Sequence, residues 1–236
     1  MAPDSQRDSV EDFINLYNLL VDHMARTLRV ESYTTFSRLL DSYIDRKPWV
    51  RREKDWLRKV ADLRNAIEHE RFEPYKYIAI PTPKVLDELR RVHAAFTNPP
   101  RAIPTFQRKV AIVAPDDSLA TILKIVHENK FSQVPVYEQK NFRGLITENG
   151  LTRWISSHVV DRGGSVDFGK VTAREILQSE EKRKPWQFTS GKTEVGKIKQ
   201  FFVDQRLLEA VIITTTGKKD GTPIGMASRW EIDKLG

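Results

Sequence analysis

The stretch Trp56-Leu-Arg-Lys-Val-Ala-Asp-Leu-Arg64-Asn65-Ala-Ile-Glu-His69-Glu puts a guanidinium, a carboxamide and an imidazole within six residues. A guanidinium holds an oxyanion through forked N–H donors, a carboxamide orients it, and an imidazole that titrates near neutral pH moves a proton. Such chemistry needs the three groups on one accessible surface. On a helical wheel of about 100° per residue, Trp56, Val60, Leu63 and Ile67 fall together as a core face. Asn65 and His69, one turn apart, then lie nearly opposite, with Arg64 beside them. A histidine facing away from its own core is solvated, capped by a neighbour or turned to a partner. The plain alternative for Arg64 is an ion pair with Glu68 four residues on, worth about 0.2–0.5 kcal/mol.

The elements that must position this triplet are read from apolar periodicity. Val10, Phe13, Ile14, Tyr17, Leu20, Val21, Met24 and Leu28 recur at helical steps over residues 8–29, and Ser9 with Asp12 can cap the start. Phe36, Leu39, Leu40 and Tyr43 repeat the pattern to Ile44, where Lys47-Pro48 breaks it. A third helix is expected over residues 48–70, with Pro48 tolerated at its first position, and a fourth through Val85, Leu86, Leu89, Val92 and Phe96. The Asn98-Pro-Pro-Arg-Ala-Ile-Pro104 run reads as a linker.

Beyond it the texture changes to short strands and helices. Val110–Val113, Gln133–Tyr137 and Phe142–Thr147 are strand-like, with helices opening at Ser118 and near Leu151. Trp186–Phe188, a helix from Thr193, Ala210–Thr214, Pro223–Ala227 and a last helix from Ser228 repeat that order at an offset of about 75–81 residues. The predicted fold is α + α/β: a helical bundle over 1–98, a linker over 99–104, and two copies of an α/β unit over 105–165 and 166–236.

The 236 residues carry a formal charge of +7, which suits an anionic partner. Residues 1–101 hold 18 basic against 16 acidic side chains and the rest 21 against 16, so neither half is a polycationic tail. The densest cluster, Arg46 to Lys59, interleaves seven basic residues with Trp49 and Trp56. Arg46, Arg51, Arg52, Lys54 and Arg58 are its candidates for phosphate contacts, the alternative being a solvated helix face. With no cysteine, thiol chemistry is excluded. No apolar run approaches a membrane span and the first residues lack a secretory pattern, so a cytoplasmic location is expected. No carboxylate–histidine ligand cluster stands out, so no metal is expected.

The order of strand, Pro115-Asp-Asp-Ser-Leu helix opening, Val134-Pro-Val136 strand and Gly144-Leu-Ile-Thr147 resembles a CBS domain, and the repeat makes a tandem pair, a Bateman-type module. The resemblance implies a regulatory cleft for an adenine nucleotide (AMP, ADP or ATP). Its phosphates would meet Lys or Arg, and its ribose hydroxyls a carboxylate three residues after a Thr or Ser. In the first copy Thr147 is followed by Gly150, without the carboxylate. In the second, Ser228 and Glu231 offer the pair, with Glu where Asp is usual, and Arg229, Lys218 or Lys219 could meet phosphates. The alternative is a pair that only packs and dimerises.

The Arg64-Asn65-Ala-Ile-Glu-His69 run, at the end of a long penultimate helix in a bundle of about 100 residues, resembles the HEPN motif. Spacing by itself is weak, since Arg153 and His158 share it; the helix context and Asn65 lift the first instance. This resemblance implies a metal-independent endoribonuclease with a site completed by a second copy in a homodimer. His69 would act on the ribose 2′-hydroxyl or the leaving 5′-oxygen, and Arg64 and Asn65 would hold the scissile phosphate, leaving a 2′,3′-cyclic phosphate. No catalytic cofactor is required. The expected function is an RNA-cutting toxin or stress or defence effector, with an antitoxin-like partner to be looked for, regulated by nucleotide through the CBS pair and the linker. The alternatives are a non-catalytic nucleotide-sensing or RNA-binding scaffold that dimerises through the helical domain, and a DNA-binding regulator, for which no helix-turn-helix is evident.

Overall fold

The computed structural model describes residues 3–30, 35–69, 77–162, 166–180 and 184–235. The chain divides into two compact units, Met1–Pro100 and Arg101–Gly236.

Among the described residues the first unit is all helical: α1 (Pro3–Leu28), α2 (Phe36–Arg46), α3 (Lys54–His69) and α4 (Pro83–Thr97). Phe13, Leu20, Met24, Leu40, Leu57, Ile67 and Leu89 are fully buried in one core, which is what the helical period of each segment requires. Tyr43 stacks on Phe96 at 5.2 Å between ring centroids, and its hydroxyl lies 3.3 Å from His23 Nε2. Two expectations change. α1 begins at Pro3, so Ser9 and Asp12 lie inside it rather than capping it, and Asp12 pairs instead with Arg90 of α4. Pro48 opens a 3-10 turn, Pro48–Glu53, before the α-helix starts at Lys54, because proline supplies no N–H to a continuous ladder. α4 starts as its sequence asks, with the Thr82 hydroxyl accepting from Val85 N–H and Pro83 in the first turn.

The second unit contains α5 (Ala102–Thr105), α6 (Leu119–Asn129), β1 (Gln133–Glu138), β2 (Asn141–Thr147), α7 (Glu148–Arg162), α8 (Ala173–Glu180), β3 (Trp186–Ser190), α9 (Val195–Asp204), β4 (Ala210–Thr214), β5 (Pro223–Ser228) and α10 (Arg229–Lys234). β1 and β2 form an antiparallel pair, and β3, β4 and β5 a sheet in that order, β3 parallel and β5 antiparallel to β4. The expected strand at Val110–Val113 is reduced to one bridge, Val113 to Val136. α8 had no counterpart in the sequence reading; Ala173 and Ile176 are buried in the core and Leu177 packs against it, too short a run to show a period. The inner faces of the two repeats meet: Leu145 of β2 packs with Ala210, Ile212 and Met226, and Phe142 lies edge-on to Trp186 and Phe188 at 5.3 and 4.9 Å.

The linker expected at residues 99–104 is corrected by the packing. Ala102 N–H bonds Thr193 O at 2.7 Å, Ile103 N–H bonds Gly191 O at 3.0 Å, and Ala102 and Phe106 are buried with Val195, Ile198 and Val211. The segment thus belongs to the second repeat although it precedes the first in sequence. Buried apolar side chains hold it, as a free linker would not be held. Gly225 allows the approach: a Cβ there would stand 2.4 Å from the Phe106 carbonyl oxygen. Gly225→Ala is therefore expected to lower stability by about 1–3 kcal/mol, read as an earlier urea or thermal unfolding midpoint.

Candidate functional site

On α3 the buried stripe is Leu57, Val60, Ala61 and Ile67, with Trp56 and Leu63 only partly buried, so the core face is turned by one residue from the wheel reading. Arg64 lies in that stripe, about one turn after Val60 and Ala61. Its side chain is 25% exposed, it forms the i, i+4 ion pair with Glu68, and Nη1 donates to Asn65 Oδ1 at 3.4 Å. Its Nε is buried with no hydrogen-bond acceptor, and its guanidinium lies 5.9 Å from the Tyr17 ring centroid. Asn65 is exposed, as expected. His69 is the last residue of α3, and its side chain lies outside the described residues. The structure thus brings Arg64 and Asn65 into contact, with Glu68 beside them and the buried Tyr17 against the guanidinium.

Part of the basic cluster is neutralised within its own unit. Asp41 takes Lys54 at 2.8 Å and Arg58 at 3.4 Å, and that hydrogen bond from Lys54 holds its carboxyl below the usual carboxylate range. Arg52 bonds Glu53 at 3.2 Å, and Arg91 of α4 bonds the same carboxylate. Arg46 and Arg51 are exposed, and Trp56 packs on the core. Three of the five candidate phosphate contacts are therefore committed to carboxylates of their own unit.

In the second unit, a cavity of about 540 Å³ is lined by Asn149, Arg153, Arg206, Glu209 and Asp233. A second, of about 350 Å³, is lined by Arg108, Lys130, Phe131, Met226 and Glu231. Both include Ser132, Gln133, Ser228 and Trp230, so they are two lobes of one cleft between the repeats. Trp230 is 65% exposed although the Lys234 ammonium sits 3.4 Å from its ring centroid. Ser228 and Glu231 form a reciprocal capping box at the start of α10. The Glu231 carboxylate accepts from Ser228 N–H at 2.8 Å and Ser228 Oγ–H at 2.9 Å, and takes the Arg108 guanidinium bidentately at 2.8 and 3.2 Å. In the first repeat Thr147 Oγ1 accepts from Gly150 N–H at 3.0 Å and is likewise a helix cap, buried rather than presented to the cleft.

Two expected phosphate ligands are placed elsewhere. Arg229 donates to the carbonyls of Phe202, Gln205, Arg206 and Leu208 at 3.1–3.3 Å, closing the end of α9, whose last carbonyls lack helical partners. Lys218 is exposed on the turn between β4 and β5, at the opposite end of β5 from Ser228 and so roughly 20 Å away at about 3.3 Å per residue. Sequence reasoning missed Arg108, Arg206 and Trp230. A tryptophan between Ser228 and Glu231 on a short polar helix was the one local signal, since such a ring has little core to enter.

The second unit is thus a two-repeat α/β fold with a polar, aromatic-edged cleft at the junction of the repeats. Residues 103–157 match the CBS domain family, and the chain carries a CBS domain there. No curated protein matches the chain. Among solved structures it is similar to the CBS domain of a CBS domain containing membrane protein from Sphaerobacter thermophilus, at 20% identity over 64% of this chain and 96% of that one, with a TM-score of 0.47. It is similar also to the CBS domain pair of protein MJ0100 in complex with 5′-methylthioadenosine and S-adenosyl-L-methionine, at 12% identity over 58% and 95%, TM-score 0.45. A third is CBSX2 in complex with AMP, at 14% identity over 57% and 94%, TM-score 0.42. Among the described residues no helix is long and apolar enough to cross a membrane.

Burial pushes the Tyr17 phenol up to about 12, against a lowering by Arg64, and burial does the same to Tyr137, whose hydroxyl has no hydrogen-bond partner. A folded pKa above the unfolded value of about 10 means that this stability is complete below pH 10 and lost as pH rises toward 12. Phenolate absorbance of the folded chain should show Tyr17 and Tyr137 titrating late, and Tyr17→Phe should remove one late-titrating group and flatten the alkaline loss of stability.

Proposed function

We propose that the two repeats act as a tandem CBS pair that binds an adenine nucleotide in the cleft, and that the helical unit is the effector it regulates. The observation that carries this is Trp230, an exposed indole shared by two cavities that also hold Arg108, Lys130, Arg153 and Arg206. An indole face stacks a purine, guanidinium and ammonium groups receive phosphates, and Glu231 and Ser228 are acceptors for ribose hydroxyls. Calorimetric titration of the full chain with AMP, ADP and ATP should find at least one that binds. Stacking removed by Trp230→Ala should weaken that ligand by roughly 5- to 150-fold, the equivalent of about 1–3 kcal/mol. Trp230 is exposed, so the variant is expected to fold; equal binding by the variant would count against the cleft.

For the helical unit we infer a metal-independent endoribonuclease that works as a homodimer, with Arg64 and Asn65 holding the phosphate and His69 transferring the proton. Its support is the Arg64–Asn65 contact on α3 one turn before His69. Arg64→Lys and His69→Ala should each abolish formation of 2′,3′-cyclic phosphate ends on a mixed RNA while leaving the dimer intact. The Arg64–Glu68 ion pair favours a second reading, a non-catalytic nucleotide-sensing scaffold in which Arg64 is structural. RNA left whole by the wild-type chain, with and without nucleotide, would select that reading.

A further inference from the structure

The Glu231 carboxylate, the acceptor that the cleft offers to a ribose, is already occupied. Oε2 takes Ser228 N–H, Ser228 Oγ–H and one Arg108 N–H, and Oε1 takes the other Arg108 N–H. Of these donors only the Arg108 side chain is free to leave. The serine pair is part of the cap of α10, and the backbone at Arg108 is held to β5 by the Gln107–Gly225 bridge and the 3.4 Å bond from Arg108 N–H to Ile224 O. The Arg108 side chain is 29% exposed, and its guanidinium lies 5.9 Å from the Phe131 ring centroid beside the smaller lobe of the cleft.

We propose that Arg108 sets the ligand selectivity of this lobe by occupying the ribose acceptor until an anionic group draws it away; the inference rests on the reading of the cleft as a nucleotide site. A nucleoside must displace Arg108 with its two hydroxyls and offers nothing to the released cation. The half-buried guanidinium is then left without its acceptors, an unfavourable exchange. A nucleoside 5′-phosphate makes the exchange balanced. Its hydroxyls donate to Glu231 in place of the two Arg108 N–H groups, and its phosphate accepts those same N–H groups in a bidentate contact. No bond beyond hydrogen bonds is made or broken. Selectivity for phosphate thus comes from an internal competitor whose release only a charged ligand compensates.

The test compares AMP with adenosine, titrated calorimetrically into the full chain. The wild-type chain should bind AMP at least tenfold more tightly than adenosine. Arg108→Gln should bring the two affinities within about threefold of each other, adenosine gaining as AMP loses. Glu231→Gln removes the charge that holds Arg108 and leaves only one neutral acceptor oxygen for the ribose, so adenosine should weaken while the released Arg108 still meets the AMP phosphate, and the AMP-to-adenosine ratio should rise above that of the wild type. A role for the pair in folding alone would weaken both ligands together and leave the ratio unchanged in each variant, and that result overturns the proposal. Because the reading is a ratio within one preparation, partial loss of folded protein does not disturb it. Binding of neither ligand by the wild-type chain overturns the nucleotide reading and this inference with it. Binding with an unaltered ratio in the variants overturns this inference alone.

Discussion

Leu145 packed against Ala210, Ile212 and Met226, with Phe142 edge-on to Trp186 and Phe188, is the contact on which the second unit depends. Neither the two-stranded nor the three-stranded sheet has enough strands to bury its own inner face, and closing one on the other removes both from water. Each fully buried Leu, Ile or Met side chain is worth about 1.5–3 kcal/mol, so a few of them outweigh any surface ion pair in the unit. The seam therefore dictates the geometry, and the charged groups accommodate to it. Its consequence for function is position: it brings Ser132 and Gln133 of one repeat beside Ser228 and Trp230 of the other, and the cleft exists only because of that juxtaposition.

The segment before the first repeat contributes to the second. Ala102 and Phe106 fill a core assembled from α9, β4 and β5, and the same run carries Arg108 to Glu231. The residues that directly follow the helical unit thus belong to the wall of the cleft. In the proposed function, ligand exchange at Glu231 acts on this run, which is the covalent route from the CBS-bearing unit to the effector. In the helical unit, Arg64 shows how a single side chain serves two demands: its stem lies in the buried stripe of α3, while its head meets Glu68 and Asn65 at the surface.

Helix and strand order was legible because period is local. Val10 to Leu28, Leu39 to Ile44 and the Val-Pro-Val strand each show their buried face without reference to anything distant. The CBS resemblance rested on such local runs, and the family match over residues 103–157 agrees with it. Where the reading went astray, a partner far along the chain decided the matter. The run over 99–104 reads as a linker until Thr193 and Gly191 accept from Ala102 and Ile103. Arg229 reads as a phosphate ligand until Phe202 of α9 and Gln205, Arg206 and Leu208 of the segment after it present their carbonyls to it. The wheel on α3 missed by one residue because Trp56 and Leu63 are apolar without being fully buried, and only the positions of α1 and α2 tell which side of the stripe is dry.

By itself the sequence determined the classes of element, the internal repeat, and the closeness of Arg64 and Asn65 to His69 on one helix. These follow from the covalent spacing of residues and from backbone hydrogen bonds that close within a few positions. Tertiary structure alone decided which charges are spent. Arg58 and Lys54 on Asp41, Arg229 on the carbonyls at and after the end of α9 and Arg108 on Glu231 are pairings across 13 to 123 positions. A charge is neutralised by whatever stands within about 4 Å of it, and that is a property of packing rather than of order along the chain.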